Sequence, residues 1–286
     1  MNKYINCINY LVRKKTQNIP HNNTNFFQHH LNVFNKLRKW QCSEDICYAG
    51  LFHSIYSNEV FTIEVEKDRQ IIKNLIGQNA ESLVYTYSKD RFKTKNLRII
   101  SLANHLDQKF IKVIDNYFDE EDIMQSYFHF RDKVPWKFIG SGQNRNTWRN
   151  FRYYPKFKNK IELKFKKSTE KILKDFKYFD LLTLERIYAS GNPYGTVHES
   201  HTDYNLNSQG GITVMYYLNN TWDLSLGGET VFYDADRQDI QKSVIPKPGR
   251  IVIFDGLIEH CARETVRKFN DLRMVLTFKY EININQ

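Results

Sequence analysis

Residues 198–219 read HESHTDYNLNSQGGITVMYYLN. A polar segment holding His201 and Asp203 runs through Gly210-Gly211 into an apolar stretch, 211–219. In extended chain, residues two apart project from the same face, so His201 and Asp203 are placed to meet one ion. Apolar and polar residues alternate in further short runs at 182–189, 229–233, 250–254 and 272–281, separated by Gly, Pro and Asn. Short strands at this spacing predict an all-β barrel or sandwich, with a helical stretch near 160–178 before it.

The run Arg250-Ile-Val-Ile-Phe254-Asp-Gly-Leu-Ile-Glu-His260 brings a second histidine 57 residues after Asp203, enough for several strands to return to one mouth of a barrel. Two imidazoles and one carboxylate leave three coordination positions open, the arrangement suited to a non-haem Fe(II) oxygenase. Arg273 follows thirteen residues later in an apolar strand. A buried guanidinium there needs an anionic partner, and a carboxylate bound through a bidentate fork would supply one. A lone H-x-D is common and means little, but the later His and Arg in a β-rich region favour the metal site. His198 is a decoy, because Ser200 stands where its carboxylate would be needed, and Cys261 is expected on the strand face opposite His260.

At these positions, residues 109–286 resemble the prolyl-hydroxylase-type Fe(II)/2-oxoglutarate-dependent dioxygenases. The resemblance rests on Phe110–Phe118 as an entry strand, on Tyr188, Gly191 and Tyr194 before H-x-D, and on Tyr216-Tyr-Leu-Asn219, Gly227–Phe232 and Pro246–Arg250. It implies a double-stranded β-helix (jelly-roll) with flanking helices. It implies His201, Asp203 and His260 as ligands of Fe(II), with 2-oxoglutarate and O2 as co-substrates and ascorbate as reductant. It also implies Arg273 as anchor of the 2-oxoglutarate carboxylate, with Tyr188, and less directly Thr230, hydrogen-bonded to the same group. Two departures stand out: four extra residues between Tyr194 and His201, and Val275 where many Arg-using relatives have Ser. The implied activity is hydroxylation of a C–H bond in a peptidyl (prolyl), protein or small-molecule (amino-acid) substrate. The other reading is a non-catalytic module that binds a ligand or protein, against which the intact triad and Arg273 weigh.

Residues 1–108 have a different character. Helical spacing of apolar residues over 25–40, 46–57, 67–79, 80–88 and 98–117 predicts an all-α first part. It resembles a divergent HD-like helical domain through His30, Ala49–Tyr56 and Ser101–Asp107. Ser54 and Asn104 stand where that pattern has metal-binding carboxylates, so His30 and His53 are expected as core histidines rather than as ligands. The whole chain is then an α+β protein of two domains, 1–108 and 109–286.

Composition sets outer limits. The net charge of +10 divides as +6 over 1–108 and +4 over the rest, spread along the chain, so nucleic acid is not the expected partner. Four scattered cysteines, Cys7, Cys42, Cys47 and Cys261, form no C-x-x-C pair and no disulfide framework. No run approaches the roughly 18 apolar residues of a membrane span, and the first residues lack the apolar core of a secretory signal, so the expectation is a cytoplasmic protein with no membrane partner.

Overall fold

The structure is a computed structural model; it describes residues 2–21, 24–57, 62–107, 110–139, 150–196, 198–205, 208–234 and 237–284. The chain divides into two compact units, Met1–Phe110 with Ile284–Gln286, and Ile111–Asn283. No helix among the described residues is long and apolar enough to cross a membrane.

The first unit contains helices α1 (Lys3–Arg13), α2 (Phe26–Lys39), α3 (Glu44–Leu51), α4 (Arg69–Ile76), α5 (Gln78–Lys89) and α6 (Lys95–Asp107), with a two-residue strand pair, β1 (Pro20–His21) and β2 (Thr24–Asn25), before α2. Asn25 caps α2 by accepting from the Gln28 backbone N–H at 2.9 Å, and Asp68 caps α4 in the same way. The buried stripe of α2, Phe26, His29, His30, Val33, Phe34 and Leu37, recurs at three- and four-residue steps and packs on α3 and α6. Two expected helices stop early. The one read over 46–57 ends at Leu51, and the one read over 98–117 ends at Asp107, after which Ile111–Ile114 is a strand. Apolar residues at Ile111, Val113 and Ile114 suit both periods, and pairing with a neighbouring strand decides between them.

The second unit runs β3 (Ile111–Ile114), α7 (Glu120–Phe128), β4 (Lys137–Ile139), β5 (Asn150–Tyr153), α8 (Lys160–Asp175), β6 (Leu182–Asn192), β7 (Gly211–Tyr217), β8 (Thr230–Tyr233), β9 (Ile240–Val244), β10 (Ile251–Asp255), β11 (His260–Ala262) and β12 (Arg273–Ile282). Seven strands form one antiparallel sheet in the order β3-β10-β7-β12-β6-β5-β4, and three form a second in the order β11-β8-β9. Alternation then sorts the side chains. Met215, Tyr217, Val252, Phe254 and Val275 of the large sheet meet Phe232 and Val244 of the small one in a buried core. On the other face of β7, Tyr216 packs on Phe165 of α8 and shares a 2.7 Å hydrogen bond with Thr169. Helix cover on one face and a second sheet on the other leave the space between the sheets as the place for a site.

Candidate metal centre and co-substrate pocket

His201, Asp203 and His260 converge. One ligand atom from each lies within 4.8 Å of the others, the one such group of three among the described residues. Backbone pairing brings them there. His201 and His260 form an antiparallel bridge, with reciprocal N–H to carbonyl bonds of 3.0 and 2.9 Å. The Asp203 N–H donates to the Gly256 carbonyl at 2.7 Å. Gly256 has to be glycine for this approach, because a Cβ there would meet the Tyr204 ring at 2.5 Å.

The hydrogen bonds around the triad fix its chemistry. The His201 and His260 Nδ1 atoms lie 3.2 and 2.9 Å from the carbonyls of Glu199 and Ile258. A carbonyl only accepts, so each Nδ1 carries a hydrogen, and in the neutral ring that leaves the Nε2 lone pair for a metal. Those Nε2 atoms lie 3.7 and 3.8 Å from the same oxygen, Asp203 Oδ1. The other carboxylate oxygen accepts from the Thr213 hydroxyl. Burial pushes the Asp203 carboxyl pKa up, but His260, Lys279 and the hydrogen bonds from Lys279 and Thr213 outweigh it and hold the group below the usual range. Burial keeps His260 below its ordinary value, against the pull of Asp203. Phe232 and Phe254 wall in its ring, at 5.7 and 4.7 Å between centroids.

The sequence reading missed Lys279. Its ammonium is buried and ion-paired to Asp203 Oδ1, the oxygen that both imidazoles face. A cation is thus already seated beside the oxygen that a metal would use. Two imidazole nitrogens and one carboxylate converging on one point fit a divalent iron centre with open positions, in which the metal would take the place of the ammonium.

Arg273, 2 % exposed, lies in the same pocket. Its Nε donates to the Gly228 carbonyl at 2.5 Å and one terminal nitrogen to the Thr230 hydroxyl at 2.8 Å. Gly228 has φ +74°, and a Cβ would press on Trp222, Thr265 and the Arg273 stem. Burial lowers the arginine's pKa, while Tyr217 and Glu229 work against the shift. Tyr217 is a second residue missed by sequence: its hydroxyl is 2.7 Å from Thr230 Oγ1, and the Arg273 guanidinium lies 5.4 Å from its ring centre.

Tyr188 also lines the pocket, but β-sheet register sets it opposite Thr277, whereas Asn192 is opposite Arg273. Four residues of strand are about 13 Å, so the phenol beside Arg273 is Tyr217, and Tyr188 stands toward Lys279, 5.6 Å from its ammonium. Val275 lines the wall between them. His198 lines the pocket outside the group of three; burial and the cations Arg273 and Arg152 push its pKa down to about 3. Cys261 contacts the Tyr233 hydroxyl.

In the first unit, the sequence reading left out one histidine of the buried cluster, His29. His30 is buried, with Nδ1 2.6 Å from the Leu51 carbonyl. Its ring stacks on that of His53, with centroids 4.6 Å apart, and His29 meets His53 edge-on, its Nε2 3.3 Å from His53 Nε2 and its Nδ1 2.6 Å from Asp107. Asn104 donates to Tyr87 at 3.3 Å.

Comparison with known proteins follows the division into units. Residues 10–91 match the model of a domain of unknown function, DUF6817, and residues 187–280 match that of the 2OG-Fe(II) oxygenase superfamily. No curated protein sequence matches the chain. Among solved structures, a Pseudomonas putida prolyl-4-hydroxylase superposes with a TM-score of 0.51 at 15% identity, over 62% of this chain and 96% of that one. A Trichoplax adhaerens prolyl hydroxylase, in complex with a hypoxia inducible factor oxygen degradation domain peptide fragment, gives 0.50 at 14% identity, over 68% and 91%. Both likenesses are of fold. That family works with Fe(II), 2-oxoglutarate and O2. Residues 187–280 are a 2OG-Fe(II) oxygenase superfamily domain, and the protein that carries them is a 2-oxoglutarate-dependent dioxygenase.

Proposed function

We propose that the second unit hydroxylates a C–H bond of a peptidyl substrate, prolyl in the first instance, or of an amino acid, with His201, Asp203 and His260 as iron ligands. The observation that carries this reading is that two Nε2 lone pairs face one carboxylate oxygen. Arg273 holds the distal carboxylate of 2-oxoglutarate, assisted by Tyr217 and Thr230, while Tyr188 flanks the pocket toward the metal. When bound, the iron and co-substrate couple loss of CO2 from 2-oxoglutarate to C–H oxidation, one O2 oxygen entering succinate and the other the substrate. The protein's residues orient. Backbone carbonyls lock both imidazole tautomers, Thr213 fixes the carboxylate, and the phenylalanine walls keep water out. Ascorbate serves as reductant for turnovers that do not reach substrate. The peptide assignment draws on the neighbouring prolyl hydroxylases, one bound to a peptide.

Residues 1–108 are read as a divergent HD-like unit that presents substrate or a partner and does not hydrolyse phosphoesters, since Ser54 and Asn104 replace carboxylates of the HD pattern. The deciding experiment is an anaerobic titration of the full chain with Fe(II) and then 2-oxoglutarate, followed by O2. One iron per chain, and succinate release that disappears in Asp203→Ala, is the expected result. Succinate formation that survives Asp203→Ala would remove the triad from the reaction.

A further inference from the structure

One end of the pocket holds polar groups that neither metal nor 2-oxoglutarate uses. β5 pairs with β6 so that Arg152 faces Ser190, and β6 pairs with β12 so that Ser190 faces Val275 and Asn192 faces Arg273. Asn150, two residues before Arg152, shares its side of the sheet. Asn150, Arg152 and Asn192 all line the same pocket as the triad. Asn150 is 1 % exposed and Asn192 5 %. Both side-chain atoms of Asn150, the Asn192 Oδ1 and the Arg152 Nε are buried without a hydrogen-bond partner among the described residues. Exchanging oxygen and nitrogen in Asn150 changes nothing, since both ends are unsatisfied. Buried carboxamides are almost always paired, so a cluster left open on a pocket wall marks the place of a ligand.

Charge narrows the ligand. Lys279 is paired to Asp203, and Arg273 is held by Gly228 and Thr230 for the co-substrate carboxylate. The Arg152 guanidinium lies over the Tyr188 ring at 4.6 Å and has no ion pair among the described residues. A further cation on the pocket wall without an anion calls for an anionic group on the ligand. The open carboxamide oxygens, on Asn150 and Asn192, call for N–H donors close to that anion. A carboxylate with an adjacent amino or amide N–H has both.

We propose that Arg152, Asn150 and Asn192 form a substrate subsite for an α-amino-carboxylate head, so that the dioxygenase acts on a free amino acid or on the C-terminal residue of a chain. This rests on the oxygenase reading above and narrows its substrate. Arg152 takes the carboxylate, and the two asparagines take the neighbouring N–H and complete the carboxylate's hydrogen bonds. An internal peptide residue, lacking the carboxylate, leaves Arg152 unpaired.

The test uses the full chain under anaerobic conditions, loaded with Mn(II). A calorimetric titration with 2-oxoglutarate comes first; absence of binding there defeats the oxygenase reading itself. The loaded protein is then titrated with each of the twenty L-amino acids. Any binder is compared with its N-acetyl amide and with a pentapeptide ending in that residue. The expected result is binding of at least one free amino acid or of its C-terminal peptide, and loss of binding in the N-acetyl amide. Binding of the free acid alone identifies a metabolite substrate; binding of the peptide as well identifies a chain terminus. In Arg152→Gln the affinity should fall by about 30-fold or more, as for truncating one partner of a buried charge pair. Arg152→Lys should lie between, keeping charge but losing the fork. Binding of 2-oxoglutarate to each variant reports that the pocket is folded. With 2-oxoglutarate bound, the proposal is overturned if no amino acid or C-terminal peptide binds, if the capped form binds as well as the free acid, or if Arg152→Gln leaves the affinity unchanged.

Discussion

Arg273 and Lys279 are both buried cations on one face of β12, and they should respond oppositely to removal. Arg273→Ala should weaken 2-oxoglutarate binding by about 2–5 kcal/mol, because it leaves the dianion's distal end without its partner. Iron binding should survive, and Arg273→Lys should restore charge but not the bidentate geometry. Unchanged 2-oxoglutarate affinity in a calorimetric titration of Arg273→Ala would take this residue out of the site. Lys279 instead competes with the metal for Asp203 Oδ1. In Lys279→Met, the metal-free chain should lose about 3–5 kcal/mol of stability, since Asp203 is left buried and unpaired. The affinity for Mn(II) should rise, because a tethered rival is gone. A fall in metal affinity would show that Lys279 holds the carboxylate for the ion rather than against it. Legibility at this scale follows the same chemistry. His201, Asp203 and His260 stand out in sequence because few folds need two imidazoles and a carboxylate in that order on strands. Lys279 does not, because a lysine alternating with apolar residues reads as a solvent-facing position. Tyr217 is hidden beside Tyr216, since two adjacent aromatics do not say which one faces inward.

The turn between β10 and β11 shows how the elements carry the site. Gly256 accepts from the backbone N–H groups of Asp203 and Tyr204 and donates to the Gly211 carbonyl, so three segments meet at one peptide. A methyl group there meets the Tyr204 ring at 2.5 and 2.7 Å and the Asp203 Cβ at 3.3 Å. Gly256→Ala should therefore cost about 1–3 kcal/mol by overpacking, and it should weaken metal binding as well, because the strain falls on the ligand's own backbone. Urea denaturation and a Mn(II) titration of the same variant check both effects. Loss of stability with unchanged metal affinity would mean that the turn yields without moving Asp203. The strands of the central sheet were legible at 182–189, 211–219 and 272–281 for two reasons: the first half of β6 has a solvent-facing side, and β7 and β12, buried on both faces, are short apolar runs bounded by turn residues. β4 and β5 were not: Lys137–Ile139 and Asn150–Tyr153 are short, and the inward residues Asn150 and Arg152 are polar, so the hydrophobic pattern that marks a strand is absent where the pocket needs polarity.

Over the whole molecule, acid acts on a chain that already carries a net charge of +10, and the first losses should come from the buried imidazoles of the helical unit rather than from its carboxylates. His30 and His53 are 0 % and 1 % exposed. Burial, and then the neighbouring histidines, hold His30 well below its usual value, and burial and His29 bring His53 down to about 3. Burial lowers His21 to about 4. Each group has a folded pKa below its unfolded value of about 6.5. The unfolded chain therefore binds the proton first, and the stability held by the neutral form is complete above that value and falls as pH drops toward the folded values. Glu66 acts lower. Burial raises its pKa, but Lys14 at 2.7 Å, Tyr10 and two backbone N–H groups bring it down to about 2, so its contribution is lost only between about 4.5 and that value. Between about pH 6.5 and 4.5 the histidines act alone. The two fully buried imidazoles, His30 and His53, give a slope of up to about 2.7 kcal/mol per pH unit near pH 5.5, and His21 adds up to about 1.4 more. Hydrogen exchange of α2 and α6 in the full chain, corrected for the intrinsic rate, should then lose protection between pH 7 and 5. His53→Gln should reduce that slope by about one proton. Protection that stays level down to pH 5 would mean that the histidines take up protons within the folded unit, and that the His29–His53 contact opens to water at little cost.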